Sequence, residues 1–201
     1  MTTDYVAFLK HYTRTHALSR FFTRELQRLP KNEAMWLAAI RWELEGSRFD
    51  VARGLSQKAL TLLDRSAKVW GAAFETELAF MATASRTLWP PVAPGSPKID
   101  VAAFVREQAD TMRKQSPALA AIVLDGELAV TVATSAIDGA SISASEFVAE
   151  MVAAAAAHPT VAREVLRVSI SHAAETAVQR AATLATAVPA ADRSVVGAAV
   201  A

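Results

Sequence analysis

Apolar residues return every three or four positions through most of the chain, the period of an amphipathic helix. Few stretches alternate apolar with polar residues, so the pattern predicts an all-α fold. Helices are expected over residues 3–15 and 17–29, with Pro30 as the stop. Asn32 is placed to cap a helix through Trp36, Ile40 and Trp42 that ends at Gly46. Asp50 opens the next helix or lies just inside it, with Val51, Leu55, Ala59 and Leu62/Leu63 at helical spacing. Ser66 caps a helix through Trp70, Phe74, Leu78 and Met81. From Trp89 to Pro97 the pattern breaks: four prolines and a glycine exclude helix. Helices resume over 99–115 and 117–137, the second with Pro117 in its first turn. Ser143 with Glu146 has capping-box spacing for a helix ending near Ala157. Pro159 and Thr160 start another, and 173–187 is the last. The chain thus divides into helical repeats at 1–85, a proline-rich linker at 86–98, further helical repeats at 99–187 and a tail at 188–201.

The pattern also repeats. Trp36-Leu37-Ala38-Ala39-Ile40-Arg41-Trp42-Glu43-Leu44 returns as Trp70-Gly71-Ala72-Ala73-Phe74-Glu75-Thr76-Glu77-Leu78, 34 residues later. The same shift pairs Leu26 with Leu60 and Leu29 with Leu63 and sets Tyr5 and Phe8 against Ala39 and Trp42. A period of 34 is that of two antiparallel helices per repeat, stacked into a superhelical solenoid.

Composition narrows the chemistry. Hydrophobic residues are 52% and charged residues 20% of 201, the balance of a folded chain with a sizeable core. Alanine, which loses no side-chain entropy in a helix, dominates from about Ala118 onward. With no cysteine, disulfides, thiolate metal sites and a cysteine nucleophile are excluded. The four histidines (His11, His16, His158, His172) lack ligand spacing, and no cofactor is implied. Ser169 and His172 are close, but no elbow glycine surrounds the serine. No glycine loop is built to cradle a phosphate. The start lacks a secretory signal pattern and no apolar run reaches membrane-spanning length, so a soluble protein is expected. Residues 1–85 carry 12 Lys and Arg against 9 Asp and Glu, and residues 86–201 carry 9 against 11. Neither half is basic enough for affinity resting on many phosphates.

The residue types within the repeat say more than its length. Each copy's first helix has an aromatic at its start and a glutamate seven positions later. The partner helix has Ala52-Arg53 and then Lys58-Ala59-Leu60. This resembles the half-a-TPR, or HAT, repeat of eukaryotic RNA-processing assemblies. Within that class, further segments carry a likeness: Tyr5-Val6-Ala7-Phe8, Leu18-Ser19, the stretches ending at Glu43 and at Leu78, and Gly126-Glu127-Leu128-Ala129. In them the chain is similar to the HAT-repeat subunits of the UTP-B subcomplex of the small-subunit processome. The likeness covers about 1–85 well and about 120–172 weakly. Two departures stand out: Leu9 or Lys10 where a glutamate is expected, and Asp64 where Pro30 leads one to expect proline. The family has a longer N-terminal region and more repeats beyond this C-terminus, which makes a fragment of a longer protein the expectation. The resemblance implies a nucleolar, non-catalytic scaffold for 18S pre-rRNA processing and 40S assembly. Its implied partners are other UTP-B subunits, including WD40 propeller proteins, with the snoRNA particle and pre-rRNA in the same assembly. A HAT scaffold of splicing or 3′-end processing is the alternative, and a direct RNA-binding helical module a second.

Three groups of residues carry the candidate chemistry. Trp36, Trp42, Trp70 and Phe74 suit a stacking platform for RNA bases, but aromatics at helical spacing within a repeat are expected in the core. Glu43 and Glu77 recur with the repeat, as structural groups facing a base such as Arg53 do; a catalytic pair has no reason to recur. Arg20, Arg24 and Arg28 line one helix face four apart, with Lys10 and Arg14 on the neighbouring helix. Like charges at that spacing destabilise an isolated helix, so an acidic partner or RNA phosphates would suit them; plain solvation also explains them.

Overall fold

The computed structural model describes residues 15–88, 101–139 and 142–159, and a discontinuous set between 161 and 179. The expected first helix at 3–15, the 89–97 break and the tail lie outside the described residues but for position 15. Eight helices are defined among the described residues, with no strand: α1 Thr15–Arg28, α2 Glu33–Glu45, α3 Phe49–Leu62, α4 Ala67–Leu88, α5 Val101–Gln115, α6 Pro117–Val123, α7 Glu127–Gly139 and α8 Ala144–Ala157.

Helix α1 buries Leu18, Phe21, Phe22 and Leu26 along one stripe and turns its arginines the other way. That stripe meets Met35, Trp36 and Ala39 of α2, and Ala59 and Val69 complete the cluster from α3 and α4. Between α2 and α3 the chain reverses in a Schellman turn. Arg48 N–H donates to Glu43 O and Ser47 N–H to Leu44 O, both at 2.9 Å. The left-handed residue is Ser47, at φ 54°, and not the neighbouring Gly46.

Each of the helices α2 and α3 packs on its successor, and α2 also packs on α4. The succession breaks once, between α4 and α5. α5 packs only on α6 among these helices, whereas α4 is gripped by α6, α7 and α8. The second core therefore joins Phe74, Leu78 and Met81 of α4 to the alanine face of α7 and to Phe147 and Met151 of α8. Gly71 lets α8 come close, since a Cβ there would lie 2.7 Å from Glu150 Cβ.

Three local expectations need correction. The helix anticipated over 117–137 is two helices, α6 and α7, bent by 60°. Gly126 between them takes φ +68°, a conformation glycine holds without steric cost, and a Cβ there would collide with Val165. Ser143 does precede α8 but makes no capping bond; its Oγ pairs with Ser145 Oγ at 2.7 Å instead. On α3 the buried line is Ala52, Ser56 and Ala59, while Val51 and Leu62 are exposed. The face turns because α3 sits close to α2 and α4, where only small side chains fit. Among the described residues no single helix is long and apolar enough to cross a membrane.

Candidate functional site

The 34-residue period reappears as a set of paired contacts. Trp36 Nε1–H donates to Pro30 O and Trp70 Nε1–H to Asp64 O, each at 2.8 Å and each six residues back. The acceptor is a backbone carbonyl, which proline and aspartate supply equally, so the Pro30-to-Asp64 departure costs the repeat nothing. Asn32 Oδ1 caps Met35 N–H and Ser66 Oγ caps Val69 N–H, both at 3.2 Å. Ser66 also donates to Glu33 at 2.7 Å, tying the start of α4 to the start of α2.

Both repeated glutamates are buried, and both reach back to the side chain 24 residues earlier. Glu77 accepts from Arg53 Nε at 2.8 Å and Nη2 at 2.7 Å, a bidentate charge-assisted pair. These bonds hold the Arg53 guanidinium above its ordinary range against the pull of burial. Arg53 also lies 4.6 Å over the Phe80 ring. Glu43 has Ser19 at the equivalent place, whose Oγ donates at 3.2 Å, and takes its cation from Arg48 in the following turn. A Cβ at Gly46 would occupy the space through which Arg48 folds back.

Trp36 and Phe74 are core residues, 5% and 0% exposed, while Trp42 and Trp70 are half-buried. Ala52, Ala59 and, more partially, Leu60 pack between the helices. These residues hold the repeat together rather than form an open stacking platform.

An opening lies between α3 and α7, which both pack on α4 but not on each other. It is a cleft of about 310 Å³. Arg53, Ser56 and Leu60 form one wall, Leu128 and Val132 the other, and Ala73 and Thr76 of α4 lie between. In the first copy the positions of Ser56 and Thr76 are held by Phe22, buried in that copy's core cluster, and Trp42, half-buried against it. Ser56 Oγ is buried and has no hydrogen-bond partner among the described residues. Sequence reading missed Ser56 and Thr76; the signal available was the mismatch of an aromatic with a small residue at 34-residue spacing.

Arg20, Arg24 and Arg28 are exposed along α1. Glu25 sits between two of them, 3.9 Å from Arg24 and 3.7 Å from Arg28, which relieves their repulsion in part. Arg20 and Arg24 edge a shallow depression with Ser19, Thr23 and Gln27. Among the described residues no group of three histidines or carboxylates could hold a metal ion. The chain matches no protein-family model, no curated protein and no solved structure.

Proposed function

We propose that this chain is a non-catalytic scaffold of HAT-like helix pairs, and that it serves as a UTP-B subunit of the nucleolar small-subunit processome. The observation that carries the scaffold reading is the 34-residue recurrence of the tryptophan-to-carbonyl bonds, helix caps and glutamate contacts. Such a frame stacks helix pairs and leaves long faces for other chains. Its two repeated carboxylates are committed to structural partners, which removes the strongest acid–base candidates from chemistry. The assignment to UTP-B rests on the residue likeness across 1–85 and around Gly126-Glu127-Leu128-Ala129. In this role the chain holds WD40 propeller subunits in place beside the snoRNA particle and pre-rRNA.

Affinity purification of the tagged chain from its own cells tests this. UTP-B subunits should co-purify after nuclease treatment. Recovery of splicing or 3′-end processing factors in their place would move the scaffold to another complex. The exposed arginines of α1 favour one second reading, direct RNA binding. That reading requires affinity for naked RNA that falls steeply with salt.

A further inference from the structure

Arg20, Arg24 and Arg28 stand in one exposed row on α1, four residues apart, with a rise of about 6 Å at each step. The Arg24 and Arg28 side chains are 74% and 71% exposed, whereas Glu25, the one carboxylate that reaches them, is buried. It lies 3.9 Å from Arg24 and 3.7 Å from Arg28, too far to accept a hydrogen bond from either. Arg20 has no ion pair or hydrogen bond among the described residues. Beside this row, Ser19, Thr23 and Gln27 make a second, and with Arg20 and Arg24 they line a depression that has two cations and no anion. The Ser19 and Thr23 hydroxyls donate to Glu43 and to the Ser19 carbonyl, which leaves the arginines and the Gln27 amide as the outward donors. Such a face fits an anion. RNA is the poorer one: three cations displace only about three counterions, and the nearby rings, Phe21 and Phe22, are buried where no base can stack on them. A helix with carboxylates every fourth residue repeats them at the same step as the arginines, so one straight segment meets all three.

We infer that the Arg20–Arg24–Arg28 face of α1 is a docking surface for an acidic helix of a partner protein, with its carboxylates recurring every four residues. The partner's charges relieve the repulsion among the arginines that Glu25 relieves only in part. The inference rests on the scaffold reading for the existence of a partner; the face and its charge stand without it.

The test titrates the full chain with two alanine-based helical peptides of equal length and charge, followed through the arginine Nε–H signals by NMR. One peptide carries glutamates at every fourth position along one face; the other carries the same number spread around the helix. Saturable shifts at Arg20, Arg24 and Arg28 are expected with the first, weakening as salt rises. Arg20→Gln, Arg24→Gln and Arg28→Gln should each weaken binding about 1.5- to fivefold, the range of one exposed ion pair, with the melt unchanged. Equal affinity for the two peptides, or no saturable shift with either, overturns the inference. Tighter binding of an equally charged oligouridylate overturns it as well, and would make the face an RNA site. Pulldown separates this idea from the scaffold reading. Partners that bind a folded chain carrying Arg20→Glu, Arg24→Glu and Arg28→Glu together as tightly as the native one contradict the docking surface alone, whereas a native chain that recovers no partner contradicts the scaffold.

Discussion

The two copies of the 34-residue unit share a frame and differ in what fills it. In both, an indole bonds a carbonyl six residues back, a polar side chain caps the first-helix start, and a buried glutamate reaches 24 residues back. The first copy closes its interior with Phe22 and Trp42 and gives its glutamate a hydroxyl and a cation from the next turn. The second places Arg53 directly on its glutamate and leaves Ser56 and Thr76 beside an open cleft. α2 stops at Gly46, but Phe80 stands at the matching position and α4 runs on to Leu88. α7 and α8 pack on α4 around Phe74, Leu78 and Met81. The difference teaches that the polar contacts fix where helices go, while the apolar filler decides whether a face is sealed.

Breaking the shared frame should have the largest effect. Trp36→Ala removes a side chain 5% exposed and should cost about 3–5 kcal/mol. Trp70 is half-buried, so Trp70→Ala should cost less. Urea midpoints check the order, and equal losses would mean that the copies bury their tryptophans alike. Next comes the glutamate partner. Arg53→Met strands a buried carboxylate and should cost about 3 kcal/mol, whereas Ser19→Ala at the matching position should cost about 1 kcal/mol, because Arg48 still holds Glu43.

Smaller effects are expected at the surface. Arg20→Glu, Arg24→Glu and Arg28→Glu should each shift stability by less than about 0.5 kcal/mol and leave helicity intact. If the stripe meets an acidic surface or RNA, co-purification with the proposed partners should weaken with the melt unchanged, in a salt-dependent way. A collapsed melt would mean that the arginines are packed rather than solvated. The last effect is pH-dependent. Burial lowers the His158 pKa below its ordinary 6.5, with the Arg86 charge a lesser cause in the same direction. The unfolded chain therefore takes up the proton first, and stability present above about pH 6.5 is lost as pH falls toward the folded value. His158→Gln should flatten the urea-midpoint profile between pH 7.5 and 5.5; an unaltered slope would place the titration elsewhere.

Much of the first four helices was legible in the sequence, because Trp36, Trp70, Asn32 and Ser66 mark both the period and the helix starts. The rest was hidden by small residues. Ala52, Ser56 and Ala59 make a buried face that carries little hydrophobic contrast, so the larger Val51 and Leu62 suggested a rotated α3. The alanine-rich stretch near Gly126 reads as one continuous helix, since alanine favours helix on every face and only the left-handed glycine reveals the bend. Arg48 was invisible for another reason: its contact with Glu43 depends on a turn in which Ser47, not Gly46, is left-handed. The cleft needs three helices to exist, and α7 starts 65 positions after the end of α3.

The central claim is that one frame packs aromatic rings in its first copy and small side chains beside a cleft in its second. Reciprocal exchange at a single matched position measures this most directly, by urea unfolding of Phe22→Ser beside Ser56→Phe. Phe22 is 3% exposed, so Phe22→Ser should cost about 3–5 kcal/mol. Ser56 is equally buried, and in Ser56→Phe a ring that must turn from it toward the neighbouring cleft should cost about 1–3 kcal/mol of repacking, less than the loss at position 22. A loss from Ser56→Phe as large as that from Phe22→Ser would contradict the account, because position 56 would then be packed shut like its counterpart.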